Sequence, residues 1–171
     1  DNNSDDESLD YLQQMHDKGE IKLVNAGANL GYGKANNLGA RHAKGDYLLI
    51  LNPDVSVDLD ALQKMADYMD SHKEIGVLGP QLYFFNGQIQ DSCRRFMRPF
   101  DLLIKRTFLS KFKLLNKRVE RYVMADFDRK EAREVDFLVG ACFMVRKSVF
   151  EKVGGFDERF FLFMEDTDLC R

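Results

Sequence analysis

Five apolar residues in unbroken succession, Tyr47, Leu48, Leu49, Ile50 and Leu51, lie between Gly45-Asp46 and the turn Asn52-Pro53-Asp54. A run of that length bracketed by chain breakers predicts a strand buried on both faces, as in a parallel sheet covered by helices. Pro53 disfavours the helical region for Asn52, so the strand ends there, and an amide and a carboxylate emerge at its carboxyl end. In open α/β sheets that end is where ligands collect.

The rest of the chain alternates in the same way. Ser4 and Glu7 form a capping-box pattern, and Leu9, Leu12 and Met15 recur at helical spacing, which predicts a helix over 5–17. Residues 21–24 read as a short strand, 27–39 as a glycine-rich loop running into a helix, and 47–52 as the central strand. Asp58 is placed to cap a helix whose Leu59, Leu62, Met65, Ala66 and Met69 make one apolar face. Residues 75–84 return to strand, Asn86-Gly87 marks a hairpin between Tyr83-Phe84 and Gln88-Ile89, 135–145 is another strand, and 147–153 a short helix. This order predicts an α/β domain with a mostly parallel sheet flanked by helices.

At 171 residues, 44% hydrophobic and with 14 Phe, the chain can bury one core, so a single domain is expected. A net charge of -3 argues against a nucleic-acid partner, which calls for a basic footprint. Cys93, Cys142 and Cys170 are odd in number and widely spaced, which disfavours a disulfide framework or a zinc site and suits a reducing, cytoplasmic compartment. The longest apolar stretch, 137–145, falls far short of the roughly 20 residues of a membrane-spanning helix. Basic charge is nonetheless concentrated locally. Between Arg94 and Arg121 stand ten Lys or Arg residues against Asp101 and Glu120, interleaved with Phe96, Phe100, Leu103, Phe108, Phe112 and Leu115. Such a segment suits either a solvated amphipathic helix or peripheral contact of 94–121 with an anionic membrane.

Two acidic sites carry the candidate chemistry. Asp54 offers one hard oxygen ligand to Mg²⁺ or Mn²⁺, with diphosphate oxygens and water filling the other positions, and Asn52 would orient a ligand; locally, Asn-Pro-Asp is also a common turn sequence. Glu165, Asp166 and Asp168 follow the turn Gly154-Gly155-Phe156-Asp157 and the apolar run Phe160-Phe161-Leu162-Phe163-Met164. They suit either first-turn acids complementing a helix dipole or a partly desolvated general base. The stretch from Asn25 through Asn29, Gly31 and Gly33 to Asn36-Asn37 is rich in glycines and amides, which favour close backbone approach and sugar or anion hydrogen bonds. It lacks the third glycine of a dinucleotide fingerprint and the Gly-Lys-Ser/Thr of a phosphate loop.

Taken together, these segments resemble an inverting family 2 glycosyltransferase of the GT-A fold, the Rossmann-like nucleotide-diphospho-sugar transferase architecture, and in particular its rhamnosyltransferase-like branch. The matching stretches are Asp1-Asn2-Asn3-Ser4-x-Asp6, Asn29-x-Gly31 with Asn36-Asn37, Leu51-Asn52-Pro53-Asp54, Val135-Asp136-Phe137-x-x-Gly140-Ala141, Val153-Gly154-Gly155-Phe156-Asp157-Glu158, and Glu165-Asp166-x-Asp168-Leu169. They occur in family order. The resemblance implies transfer of a sugar from a nucleotide diphosphate donor to a glycan or lipid-linked acceptor, on the cytoplasmic side of a membrane, in cell-surface polysaccharide biosynthesis. Asp1, Asn3, Asn29, Gly31, Asn36, Asn52 and Asp54 would contact the donor, with Asp54 as metal ligand. Asp166 would be the general base, with Asp136, Gly140 and Glu165 near the acceptor and the transferred sugar.

The sequence departs from the family's pattern in two ways. Asn52 stands where the usual Asp-x-Asp has a carboxylate, which weakens the expected hold on metal. The first strand-helix-strand and the tail after the Glu-Asp motif have no counterpart in 1–171, so this single domain is expected to transfer sugar weakly or not at all alone. The alternatives from other classes are a non-catalytic nucleotide-sugar binding or membrane-docking module, and a generic nucleotide-binding α/β domain.

Overall fold

The computed structural model describes residues 1–98 and 113–171, without the side chains of 113–116. The centre of the basic stretch, 99–112, including Phe100, Asp101, Leu103, Phe108 and Phe112, lies outside the described residues, as does the Leu115 side chain. The elements in order are α1 (Ser8–Asp17), α2 (Tyr32–His42), β1 (Tyr47–Leu51), α3 (Leu59–Ser71), β2 (Val77–Leu78), β3 (Cys93–Arg94), α4 (Lys113–Tyr122), β4 (Phe137–Leu138), β5 (Cys142–Arg146), α5 (Lys147–Val153) and α6 (Glu165–Leu169).

The unbroken apolar run does form a strand, covered on both faces over residues 47–50, while Leu51 at its end is exposed. Leu48 and Ile50 of β1 join Phe143 and Val145 of β5 with Phe150 and Phe156. On the other face Tyr47 and Leu49 meet Met144 and the α3 residues Met65 and Met69. Side chains alternate across a strand, so two covered faces demand apolar residues at every position. Each fully buried Phe here contributes about 2–3 kcal/mol of transfer free energy. Arg146, at the end of β5, donates to the carbonyls of Met69 and Ile75 and to the Tyr47 hydroxyl, tying the end of α3 to the sheet.

Strand direction corrects the expectation. The main sheet has the order β1-β5-β2, and β5 runs antiparallel to both neighbours, with Leu51 opposite Cys142 and Val77 opposite Val145. β1 and β2 therefore share one direction, as the crossover through α3 requires, but β5 is inserted against them. An apolar run carries no mark of direction; the partner strand lies far along the chain. The strand expected over 135–145 also divides, because β4 leaves to pair with β3 in a second, two-stranded sheet. The chain turns between them at 139–141, where the Ala141 amide donates to the Val139 carbonyl.

Other boundaries shift for local reasons. Residues 21–24 form no strand, because their neighbour, Asp1, folds straight into a turn: the Asp1 amino group donates to the Val24 carbonyl, the Ala26 amide donates back, and the ladder stops. The capping box is not made either. Ser4 gives its hydroxyl to Asp1 and Asp6 accepts the Ser8 amide, so α1 starts three residues later than expected. Asp58 occupies the N-cap of α3 without a side-chain cap bond. The glycine-rich stretch turns helical at Tyr32, earlier than its composition suggests, whereas α5 covers the expected residues and ends at Gly154 in the left-handed conformation.

Candidate active site

The carboxyl end of β1 and the start of β5 meet at one corner, and both acidic sites reach it. Beyond Leu51, the Asn52 amide donates to the Ala141 carbonyl at 2.9 Å, and the Val55 amide donates to the Asn52 carbonyl, closing the turn that presents Asp54 to solvent. On the neighbouring residue, the Gly140 amide donates to the Asp166 carboxylate at 3.0 Å. The Asn52-Pro53-Asp54 turn and Asp166 are thus held on two consecutive residues of one bend. Asp166 also accepts from the Thr167 amide, 2.7 Å, and hydroxyl.

Tyr32 completes the bend from beneath. Its hydroxyl donates to the Gly140 carbonyl, and its ring stands edge-on to Phe156 at 5.7 Å. Burial, then the nearby carboxylates of Glu165 and Asp166, push the phenol well above its ordinary range, so it stays protonated and acts as a donor. Glu165 is buried, with one carboxylate oxygen lacking a partner among the described residues, and burial raises its proton affinity. The residue that faces the corner is therefore Asp166, while Glu165 points into the core.

The donor-side loop is braced to the same place. The Asn29 side chain accepts from the Gly31 amide and from the Asn2 amide group, and Asn2 in turn accepts from the Leu30 amide. Gly31 is needed by contact as well as by conformation: a Cβ there would sit 2.3 Å from the Phe161 carbonyl oxygen. Tyr32 donates its amide to that same carbonyl, which links the loop to the segment leading into α6. At the chain's start, the Asp1 carboxylate accepts from the amides of Asn3 and Ser4 and from the Ser4 hydroxyl, with Asn3 left-handed at φ 67.

Three of the expected contact residues make hydrogen bonds within the fold. Asn36 donates its side chain to the Tyr32 carbonyl along its own helix. Asp136 accepts the Phe96 amide at 2.7 Å and so fastens the two-stranded sheet. Gly140 acts through its backbone, as the clasp on Asp166. Asn2 and Tyr32 escaped the sequence reading; Asn2 lay inside a matched motif, whereas nothing local links Tyr32 to a glycine 108 residues away.

No group of three or more His, Cys, Asp or Glu suited to a metal ion occurs among the described residues. Asp54 accepts no hydrogen bond from a described residue, so an exposed carboxylate with its oxygens open stands at the turn, which fits a single protein ligand to a hard cation. A cavity of about 870 Å³ lies elsewhere, between β2 and the 127–138 segment, and includes neither Asp54 nor Asp166 in its walls.

Known proteins align with this arrangement. The profile described as Glycosyl transferase family 2 matches residues 1–154. The N-acetylglucosaminyl-diphospho-decaprenol L-rhamnosyltransferase of Mycobacterium tuberculosis is 33% identical over 163 residues, covering 87% of this chain and 52% of the relative. The rhamnosyltransferase WbbL of Escherichia coli is 29% identical over 155 residues, covering 85% of this chain and 54% of its own. The chain thus spans about half the length of the curated relatives it matches. Among solved structures, the mannosyltransferase PcManGT from Pyrobaculum calidifontis, in complex with GDP-Man and Mn2+, superposes with a TM-score of 0.60 at 17% identity, over 99% of this chain and 39% of that one. With the corner at the end of β1, the clasped Asp166 and these alignments together, the chain belongs to glycosyltransferase family 2 and has its GT-A fold, on the rhamnosyltransferase-like side of the family.

Proposed function

We propose that this chain is the donor-binding and catalytic part of a glycosyltransferase that moves a sugar, with inversion, from a nucleotide diphosphate to a glycan or lipid-linked acceptor in cell-surface polysaccharide biosynthesis. The observation that carries the reading is the Gly140 amide fixing Asp166 beside the peptide that receives the Asn52 amide. A base and a turn carrying an open carboxylate then face one bend, as displacement at a sugar carbon between acceptor and leaving diphosphate requires.

In that reading Asp166 takes the proton of the acceptor hydroxyl as its oxygen bonds to the anomeric carbon. The bond from that carbon to the diphosphate breaks, and its electron pair leaves with the nucleoside diphosphate. A single displacement inverts the centre. Asp54 would hold Mg²⁺ or Mn²⁺, which when bound offsets charge on the leaving diphosphate. Asn52 keeps the turn in place through its backbone, and its amide side chain, being neutral, adds no second charge to the metal site. The Asn2-Asn29-Gly31 brace holds the loop that would flank the nucleotide, and Asp1 and Asn3 stand at its edge.

The acceptor side is assigned to the cytoplasmic face of a membrane, with the basic stretch 94–121 supplying attraction to anionic lipid. No helix among the described residues is long and apolar enough to cross a bilayer. Residues 1–171 are read as one domain whose turnover depends on further segments of the kind its relatives carry.

The deciding experiment measures thermal protection of the natural protein carrying this sequence by a panel of nucleotide sugars, rhamnosyl donors first, with and without Mn²⁺. Protection by one donor, together with a large rate loss but intact donor binding in Asp166→Asn, supports the reading. Indifference to every donor, or an Asp166→Asn variant of unchanged rate, sinks it.

A further inference from the structure

From Pro80 to Gln90 the chain carries no charged residue, although 31% of all its residues are charged. This uncharged stretch forms a hairpin with a bridge between Tyr83 and Ile89. The Phe84 amide donates to the Gln88 carbonyl, the Gly87 amide to the Phe84 carbonyl, and the Gln90 amide to the Leu82 carbonyl, each at 2.8 Å. Gly87 supplies the left-handed residue of the turn, φ 80, and the Asn86 side chain accepts the Gln88 amide. Gln90 donates its side chain to the Tyr83 carbonyl, and Gln81 to the Tyr83 hydroxyl.

The hairpin is thus ordered by its own hydrogen bonds and turns its apolar side chains outward. Phe85 is fully exposed at 106%, followed by Tyr83 at 58%, Phe84 at 53% and Ile89 at 41%. Four large apolar side chains held in water by an ordered turn are costly unless something covers them, and the ordering means little entropy remains to be lost when it does. Aromatic residues without a charge nearby are the composition favoured at the boundary between lipid headgroups and acyl chains.

The surroundings select the partner. β3 begins three residues beyond Gln90, and the Arg95 amide, next after it, donates to the Tyr122 carbonyl at the end of α4. The stretch that starts at β3 and ends with α4 holds the ten basic residues against two acids. A basic stretch that directly follows an uncharged aromatic tip in the sequence complements an anionic lipid surface: its cations attract the headgroups, and the tip enters beneath them. We infer that the 82–90 hairpin is an insertion finger that seats Phe84 and Phe85 in the interface of an anionic bilayer. This goes beyond the sugar-transfer reading and does not depend on it.

Residues 1–171 contain no Trp, so Phe85→Trp places a new fluorescent reporter at the tip, read as the difference from the parent's spectrum. It is titrated with vesicles of phosphatidylethanolamine and phosphatidylglycerol whose acyl chains are brominated. The finger requires a blue shift and quenching on binding. It also requires that Phe84→Ser with Phe85→Ser weaken vesicle partition of the otherwise unchanged protein about tenfold or more. The melting temperature of the double variant should match the parent's, since both rings are exposed. Absence of partition, partition without quenching, or equal partition of the double variant overturns the proposal. So does vesicle indifference in a protein that sediments as a dimer until the two rings are removed, which would assign the hairpin to a second copy of the chain.

Discussion

Gly140 is held from both sides: its amide donates to the Asp166 carboxylate at 3.0 Å, and its carbonyl accepts from the Tyr32 hydroxyl. The two groups belong to successive planar peptide units, and the Ala141 amide, on the unit whose carbonyl Tyr32 holds, donates to the Val139 carbonyl of the unit whose N–H holds Asp166, so the two units are locked together. Tyr32 therefore positions Asp166 without touching it.

Removing that hydroxyl should cost rate rather than donor affinity. Tyr32→Phe keeps the ring against Phe156 and deletes one hydrogen bond of about 1 kcal/mol, which predicts a fall of about fivefold in kcat with the donor KM unchanged. Steady-state kinetics on the natural protein distinguishes the outcomes. An unaltered kcat, or a raised KM alone, would show that the clasp on Asp166 holds without Tyr32.

Asn37 is a buried residue whose amide spans the chain turn at Phe156. It accepts the Phe156 amide at 2.9 Å and donates to the Phe156 carbonyl at 2.8 Å. Asn37→Ala leaves both backbone groups buried without partners, a loss of about 2–4 kcal/mol. Asn37→Asp should also destabilise, because a carboxylate cannot donate to that carbonyl and faces Glu158, whose oxygen lies 3.3 Å from the Asn37 amide nitrogen. Urea unfolding of both variants measures this; midpoints within error of the parent would remove Asn37 from the account of stability.

What could be read in advance had a local cause. The run Tyr47 to Leu51 announced β1 because a strand covered on both faces admits no polar position. α5 was legible through Gly154 at its end, and Asn86-Gly87 through the left-handed residue its turn needs. The direction of β5 was not legible, since Cys142, Phe143, Met144 and Val145 pack equally well in either sense until the neighbouring strands are known. Nor was the division of labour between the two acidic sites: Asp54 is exposed whereas Glu165 is buried beside Asp166, a difference made by α2 and Phe156, which approach Glu165 at Gly33, rather than by flanking residues. The clasp of Tyr32 on Gly140 and that of Asn37 on Phe156 join positions 108 and 119 residues apart, beyond any periodicity a single sequence displays.

Gly31 combines a conformation and a contact that other residues cannot adopt. Its φ of 81 and ψ of 172 lie in a region open essentially to glycine alone, and a Cβ would meet the Phe161 carbonyl oxygen at 2.3 Å. Gly31→Ala should lose about 2–3 kcal/mol. In a chain of this size that is a drop of about 5–10 °C in Tm by circular dichroism. Donor protection should weaken with it, because the loop and the segment before α6 share the Phe161 carbonyl. A Tm within 1 °C or so of the parent would refute the close approach.

Glu165 should leave a signature in the pH dependence of stability. Burial raises its native pKa above the ordinary 4.5, so the folded state keeps a proton that the unfolded state releases. More protons on the folded side mean that stability falls as pH rises from 4.5 through the raised native value, and above it the whole penalty of ionising a buried carboxyl is present. Below 4.5 both states are protonated and the penalty vanishes. Glu165→Gln keeps the shape and cannot ionise. Its melting temperature should therefore exceed the parent's by a few degrees at about pH 8, and the difference should close as the pH is lowered. A gap that stays constant across that range, or widens toward acid, would mean that Glu165 is stabilised in its charged form by a partner in the folded protein.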